Sequence, residues 1–367
     1  MPEYGVVRPR ELSSPDIEAW REMQRAQPHL ANPFLSPDFT IAMGEVSDQV
    51  RVALIRDEQG LAGFLPFERS RGAGGGVGAA VGAWVSLCQG VIHRPGAEFD
   101  VDALLKACGL HVWEFGCLVD RQPWFAPHTT LSQEAAVLDL AGGYAAFEEE
   151  LRARSPKFLK STQYKERKLG RDAGEVTFAL AVDSDEQFRL LREWKSAQYV
   201  RTGRPDRFGR GWVVELVERL QAIDTKDFGG VLSMLYAGGQ PVAGHFGLRS
   251  HSTLIGWFPA YEPAFSKYSP GLIQHLRMAE AAADAGLDTL DLSVGAGYEY
   301  KSALQSRTVP VGEGIVRRRT VRAGAHWART EPVRRARRAI LDAPVLYRLA
   351  DRVLKGYGRT RAKGGTP

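Results

Sequence analysis

Two stretches of the chain alternate apolar and polar positions in the same way. "VALIRDEQGLAGFLPFER" (residues 52–69) and "SMLYAGGQPVAGHFGLRS" (residues 233–250) align without a gap, with Gln59 over Gln240, Ala62 over Ala243 and Gly63 over Gly244. Each reads as an apolar strand, a polar turn with Gly and a second apolar strand, which is a β-hairpin pattern. The first is followed by "VSLCQGVIHRPG", a short helical run "VDALLKACG" and the strand "HVWEFGCLV". The second is followed by "TLIGWFPAYEPAFSKYSPG", the longer helix "LIQHLRMAEAAADAG" and "LDTLDLSVG". The order hairpin, strand, Pro-Gly, helix, Gly, strand thus occurs twice, and an internal duplication is the economical explanation. Antiparallel hairpins joined to a β–helix–β crossover predict a mixed α/β (α+β) chain, with two similar lobes around mixed sheets.

Between the repeats, "LRARSPKFLKSTQYKERKLGRD" (residues 151–172) reads as one basic helix that follows the acidic run Glu148, Glu149, Glu150. Lys157, Lys160, Tyr164 and Lys168 fall at helical spacing on one face. Two further helices are expected at residues 184–200 and 212–223. These elements place an N-terminal lobe at 1–145, a second lobe at 146–316 and a basic tail at 317–367.

The helix of the second repeat has an apolar face of Leu272, Leu276, Ala279 and Ala283 with Ile273 beside it; Gln274, Arg277, Glu280 and Asp284 lie elsewhere. Ser269 suits the N-cap and Pro270 the first helical position. Gly271 lets a ligand approach the backbone. The free N–H groups of the first turn and the helix dipole form an anion site, to which Lys267 adds charge. Gly286 ends the helix.

At 367 residues the chain is long for one core and comfortable for two domains. An apolar content of 44% with 25% charged residues reads as soluble and globular. Cys88, Cys108 and Cys117 show no C-x-x-C spacing and no even pairing, so they read as reduced thiols of a cytoplasmic protein without a zinc site. The N-terminal "MPEYGVVRPREL" lacks the apolar core of a signal peptide, and residues 74–92 are too poor in apolar groups for a membrane span. No G-x-S-x-G or H-E-x-x-H occurs, "GAGGGVG" lacks a following helix, and no cluster has metal-ligand spacing. No nucleic-acid module is recognised, so DNA is not an expected partner.

Charge is uneven. From Arg317 onward fifteen Lys and Arg face three acidic residues, an excess of twelve positive charges, and the rest of the chain is net negative by seven. The tail holds "RRRTVR", "RRARR" and a helix at residues 344–356, with Val345, Leu346, Leu349 and Val353 on its apolar side. Three readings stay open for the segment from Arg317 to Lys363. It lies on an anionic inner-membrane surface as a peripheral helix, docks onto the body, or binds an anionic nucleotide.

"PVAGHFGLRS", "WFPAYEPAFSKYSPG" and "LDLSVGAGYEYK" resemble the C-terminal half of the CelD/BcsL family. That family belongs to the GNAT superfamily and is similar to the Fem peptidoglycan transferases. "NPFLSPDF" (residues 32–39) resembles the family's N-terminal motif and "LREWKSAQYVRTG" (residues 191–203) its middle helix. The resemblance spans about residues 30–305. It implies a tandem GNAT-like acyl-CoA N-acyltransferase fold, with acyl-CoA (acetyl-CoA first) as co-substrate. It implies a sugar-containing or lipid-linked acceptor in exopolysaccharide, cellulose or envelope biosynthesis. The donor would sit at Lys267, Tyr268, Ser269, Gly271 and Leu272. GNAT enzymes carry Q/R-x-x-G-x-G/A at this entry, whereas this chain has one glycine there. Acyl-CoA, acyl carrier protein and aminoacyl-tRNA therefore stay open as donors. The first-repeat counterpart, Arg94-Pro95-Gly96, precedes a shorter helix and reads as degenerate.

Acyl transfer needs a base for the acceptor, donors for the oxyanion and a proton for the leaving thiolate. Tyr298, Glu299, Tyr300 and Lys301 follow the last strand of the Pro-Gly unit, where GNAT folds place a general acid, and Asp291 lies on that strand. Lys301 and Tyr298 lead as catalytic candidates. The structural alternative for Tyr300 is a packed aromatic, and for Asp291 a carboxylate that caps backbone. His245 reads as a base or a satisfied core histidine; Glu262 and Tyr261 are weaker. Lys157, Lys160, Tyr164 and Lys168 read as a site for the acceptor's diphosphate or as a solvated face. Two further functions are kept: a Fem-like transferase using aminoacyl-tRNA, and a degenerate GNAT that regulates polysaccharide secretion through its arginine tail.

Overall fold

The computed structural model describes residues 2–70 and 76–342. Its strands are β1 (Glu3–Val7), β2 (Val50–Asp57), β3 (Gly60–Arg69), β4 (Val77–Ala80), β5 (Ile92–His93), β6 (Val112–Leu118), β7 (Thr129–Asp139), β8 (Val176–Ala179), β9 (Phe228–Ala237), β10 (Gln240–Ser250), β11 (Thr253–Tyr261), β12 (Thr289–Val294) and β13 (Arg307–Arg317). The helices are α1 (Ser14–Arg25), α2 (Pro37–Val46), α3 (Val101–Ala107), α4 (Gly143–Arg154), α5 (Pro156–Ala173), α6 (Asp185–Thr202), α7 (Gly211–Gln221), α8 (Pro270–Asp284), α9 (Glu299–Leu304) and α10 (Val321–Asp342).

All thirteen strands form one mixed sheet in the order β1-β2-β3-β4-β6-β13-β7-β12-β11-β10-β9-β8, with β5 on β3. Both expected hairpins form, as β2–β3 and β9–β10. Each is followed by a strand, a helix and a strand parallel to the first: β4–α3–β6 and β11–α8–β12. Beyond that point the halves exchange strands. β7 follows β6 in sequence yet lies between β12 and β13, whereas β13 follows β12 yet lies between β6 and β7.

Alternate residues of the strands serve two layers. Leu232, Met234, Phe246 and Ile255 face a core shared with Trp20 of α1, Phe39 of α2, Leu191 of α6 and Leu216 of α7. Val231, Leu254 and Leu290 face the opposite way, toward Leu159 of α5 and Met278 and Ala279 of α8. Helices from both halves thus share one layer on the first face, while α4, α5 and α8 cover the second half on the other.

The basic segment is two helices rather than one. Pro156 has no N–H and disfavours a helical residue before it, and Ser155 takes φ −136° between α4 and α5. Gln274 of α8, expected off the apolar face, is fully buried and donates to Ser233 O at 3.3 Å. The start of the basic tail docks on the body: Arg318 pairs with Asp102 at 3.1 Å and Ala323 packs on Val112 and Ile315, while Arg317 pairs within the tail with Glu331 at 3.5 Å. The helix expected at 344–356 lies outside the described residues. The three cysteines are free thiols. Among the described residues no helix is long and apolar enough to cross a membrane.

Candidate active site

β11 and β12 pair only from Thr253–Ile255 to Thr289–Asp291 and then part. Both strands are irregular where they diverge. β11 bulges at Trp257, because Phe246 faces Phe258 while Gly247 faces Gly256. β12 kinks at Ser293, whose φ is +63°, a backbone region that costs energy for a residue with a Cβ. A cleft of about 590 Å³ occupies the gap. It is lined by Gly256 and Trp257 on one side and Leu292, Ser293 and Val294 on the other, and it runs on to α6, α8 and Trp84 of the first half.

The bulge is held by His245. Its Nε2 accepts the Trp257 N–H at 3.0 Å. The neutral ring therefore carries its proton on Nδ1, which is buried without a protein partner. Burial pushes its pKa down to about 3, with His275 and Lys195 adding to the shift. With the lone pair of Nε2 already engaged, His245 is a hydrogen-bond donor at neutral pH rather than a base. Gly247 makes room for it: a Cβ there would lie 2.6 Å from the His245 Cε1.

Asp291 and Lys301 hold the β12 kink. Asp291 Oδ1 accepts the Ser293 N–H at 2.6 Å, and its Oδ2 accepts from Asn32 Nδ2 at 3.1 Å. Asn32 belongs to the "NPFLSPDF" segment, whose Phe34 packs edge-on against Trp257 with ring centres 5.0 Å apart. Lys301 is 7% exposed and lines the cleft. Its Nζ donates to the carbonyls of Leu292 at 2.5 Å, Ser293 at 3.3 Å and Val294 at 2.6 Å. Burial lowers its pKa to about 8 against the opposing pull of Asp291. Burial likewise raises the pKa of Asp291 despite its hydrogen bonds. For both groups desolvation outweighs their mutual attraction.

Tyr298 lines the cleft and is 58% exposed. Tyr300 lies deeper, its ring centre 5.7 Å from that of His275. Glu299 is exposed. Glu262 accepts from Trp194 Nε1 at 3.1 Å and from Ala264 N–H, which accounts for both its oxygens, and Tyr261 packs in a small core with Tyr268 and Ile273.

Sequence reasoning missed two buried bases. His275 sits on α8 with Nδ1 unpartnered, and burial lowers its pKa to about 4. Lys195 of α6 donates to Pro259 O at 2.8 Å and Gln198 Oε1 at 2.9 Å; burial, then Arg204 and Arg207, lower its pKa to about 7. Both lie inside segments quoted for other reasons. The only local sign was a polar residue at a position that helical spacing buries.

The donor entry differs from expectation in one detail. Ser269 occupies the N-cap position with φ +52°, yet its side chain accepts no N–H from the first turn of α8. Its Oγ accepts from Lys165 Nζ at 2.9 Å instead. Tyr268 donates to Asp172 at 2.7 Å, and Lys267 lies 4.8 Å from its ring centre. Leu272 is half-buried, and a Cβ on Gly271 would meet only Tyr261, at 3.9 Å. The counterpart in the first half is closed: Asp100 caps α3 by accepting the Ala103 N–H at 2.6 Å, and Arg94 is paired with Asp57 and Gln59. Lys157, Lys160 and Tyr164 lie exposed on α5 and Lys168 pairs with Asp172 at 2.7 Å; none of the four is among the residues that line the cleft. Among the described residues no group of His, Cys, Asp and Glu is placed to hold a metal ion.

Residues 156–302 match the model of the family described as Acetyltransferase (GNAT) domain. The chain therefore carries a GNAT-type acyltransferase domain, which implies an acyl-CoA co-substrate. Among solved structures it is similar to FemX, at 9% identity over 85% of this chain and 96% of that one, with a TM-score of 0.57. It is also similar to the C-terminal domain (DUF2156) of a putative lysylphosphatidylglycerol synthetase from Agrobacterium fabrum, at 13% identity over 86% and 96%, with a TM-score of 0.51. A tandem GNAT protein from the clavulanic acid biosynthesis pathway shares 10% identity over 86% and 98%, with a TM-score of 0.47. No curated protein matches the chain.

Proposed function

We propose that the protein transfers an acyl group from acyl-CoA to an amine or hydroxyl of a sugar-containing envelope or exopolysaccharide precursor, as a member of the CelD/BcsL branch of the GNAT superfamily. One observation carries this reading. The parting of β11 and β12 opens a cleft that reaches from Lys195 of α6, on one face of the sheet, to His275 in the second turn of α8, the helix whose N-terminus is left uncapped on the other. Free N–H groups and Lys165 and Lys267 at the entry suit a pyrophosphate, and Gly271 leaves space for it. Acyl-CoA supplies an activated carbonyl.

Lys195 or His275 takes the proton of the attacking acceptor, since burial keeps a lone pair available on each near neutral pH. The Nδ1–H of His245 suits the developing oxyanion. The Tyr298 hydroxyl returns a proton to the sulfur as the C–S bond breaks. Lys301, with three carbonyls on its ammonium, acts by holding the kink that shapes the cleft.

Calorimetry with acetyl-CoA and a long-chain acyl-CoA tests the reading. The wild type binds at least one, and Gly271→Glu, which drives a carboxylate into the entry, abolishes binding. Binding of neither thioester by the wild type, or equal binding by the variant, refutes it.

A second reading keeps the cleft and replaces the donor by aminoacyl-tRNA. The exposed Lys157, Lys160 and Tyr164 on α5, the helix that reaches Ser269, favour it. It predicts protection of RNA by α5 and indifference to CoA. A membrane or nucleotide contact by the tail would fall to residues beyond Arg317 and Arg318, which are already paired.

A further inference from the structure

The loop between α6 and α7 carries three arginines that line the cleft, Arg204, Arg207 and Arg210. Elsewhere arginines are commonly ion-paired, as Arg21 is with Asp38 and Arg277 with Glu166. These three have no acidic partner among the described residues, although Asp206 sits between them. The Asp206 carboxylate is used to build the loop, accepting from Ser196 Oγ at 3.2 Å and the Phe208 N–H at 2.9 Å. Phe208 then anchors the loop by packing on Phe258, ring centres 4.8 Å apart. Gly203, at φ +68°, ends α6 and turns the chain into the loop.

Aromatic surface stands beside this charge. The Arg210 guanidinium lies 4.2 Å from the ring centre of Trp84, which the first half contributes and which is 64% exposed. Farther in, the Lys301 ammonium adds a fourth cationic group to the lining, so one sign of charge dominates the cleft. Unpaired guanidiniums in a fixed loop are suited to phosphate oxygens, and an exposed indole to a planar ring.

Resting on the acyl-transfer reading above, we infer that Arg204, Arg207 and Arg210 bind a phosphoryl or pyrophosphoryl group of the acceptor, whose ring stacks on Trp84. The same phosphate chemistry is present in the 3′-phosphate and pyrophosphate of CoA. The arginine loop, however, belongs to the α6–α7 layer, whereas the α8 entry lies on the opposite face of the sheet. The acceptor's anion therefore enters from the side opposite the donor, away from the α5 lysines.

The test is calorimetric titration of the full chain with inorganic pyrophosphate and with uridine diphosphate, with and without saturating CoA. The wild type binds pyrophosphate in both conditions. Arg204→Ala/Arg207→Ala raises its Kd at least tenfold and leaves acetyl-CoA binding unchanged. Trp84→Ala leaves pyrophosphate affinity intact and removes the extra affinity of the nucleotide. Arg204 and Trp84 are exposed and Arg207 is half-buried, and Arg207→Lys, which keeps the charge, recovers part of the affinity if the fold is intact. Absence of pyrophosphate binding by the wild type overturns the inference. So does displacement by CoA or loss in Gly271→Glu with the arginine variant unaffected, since the anion would then sit at the donor entry. Failure of acetyl-CoA to bind, with pyrophosphate still held by the arginines, would sink the acyl-CoA reading and leave the anion site standing.

Discussion

Replacing Lys301 by Met removes an ammonium while keeping a chain of similar length. Three carbonyls, those of Leu292, Ser293 and Val294, lose their donor in a buried setting. An orphaned buried polar group costs ~1–3 kcal/mol, so the loss is about 6 kcal/mol at the middle of that range. Against it stands the desolvation of the charge. A pKa lowered from 10.5 to about 8 corresponds to ~3 kcal/mol. The expected net destabilisation at pH 7 is therefore ~3 kcal/mol, read by urea denaturation. The pH dependence identifies the source. A lysine with a lowered folded pKa costs the native state its full penalty below pH 8, and the penalty disappears as pH rises toward 10.5. Wild-type stability gains over that window and the Met variant does not, so the gap between them widens by up to ~3 kcal/mol. A variant as stable as wild type at pH 7, or a gap that stays constant from pH 8 to 10, would refute the assigned role.

Gly247→Ala places a Cβ 2.3 Å from Ile255 O and 2.6 Å from the His245 ring; a loss of more than ~2 kcal/mol is expected in thermal melting, with Gly116→Ala, which meets nothing within 4 Å, as the neutral control. His275 has a folded pKa lowered from 6.5 to about 4, so wild-type stability is complete above pH 6.5 and falls by ~3 kcal/mol as pH drops to 4. His275→Gln should show that much less acid loss in urea unfolding at the two pH values, and an unchanged acid profile would contradict the burial of a neutral ring. Asn32→Ala frees one oxygen of Asp291 and should weaken acyl-CoA binding while Asn32→Asp, which sets two carboxylates together, weakens it more; equal affinity across the three proteins counts against the coupling.

Much of the architecture was legible because it rests on short-range periodicity. The two hairpins, the helix after Ser-Pro-Gly and the parallel strands β11 and β12 each follow from a local alternation bounded by Gly or Pro. The duplication was visible because both copies keep that order. β7 and β13 escaped notice since polar residues such as Ser132, Gln133 and Glu134, and Pro310, Gly312 and Gly314, dilute their alternation. Their conformation is selected by pairing with each other and with the opposite half.

The candidate site divides along the same line. The residue types at Lys301, Tyr298, His245 and Gly271 were readable, and all but the glycine line the cleft. Their chemistry was not readable. Nothing local to His245 shows that a bulge N–H from the next strand will occupy its lone pair, nor does any spacing show that Lys301 will be enclosed by carbonyls. Asn32 meets Asp291 across 259 residues of chain, and Lys195 reaches β11 only because α6 packs there. By itself the sequence determined the two hairpins, the helix after Ser-Pro-Gly, the duplicated order of these elements and the charge of the helix entry, since these depend on neighbours within a few residues. Tertiary structure alone decided the strand exchange, the parting of β11 from β12 and the protonation states inside the gap, because burial and hydrogen bonding to distant backbone set each of them.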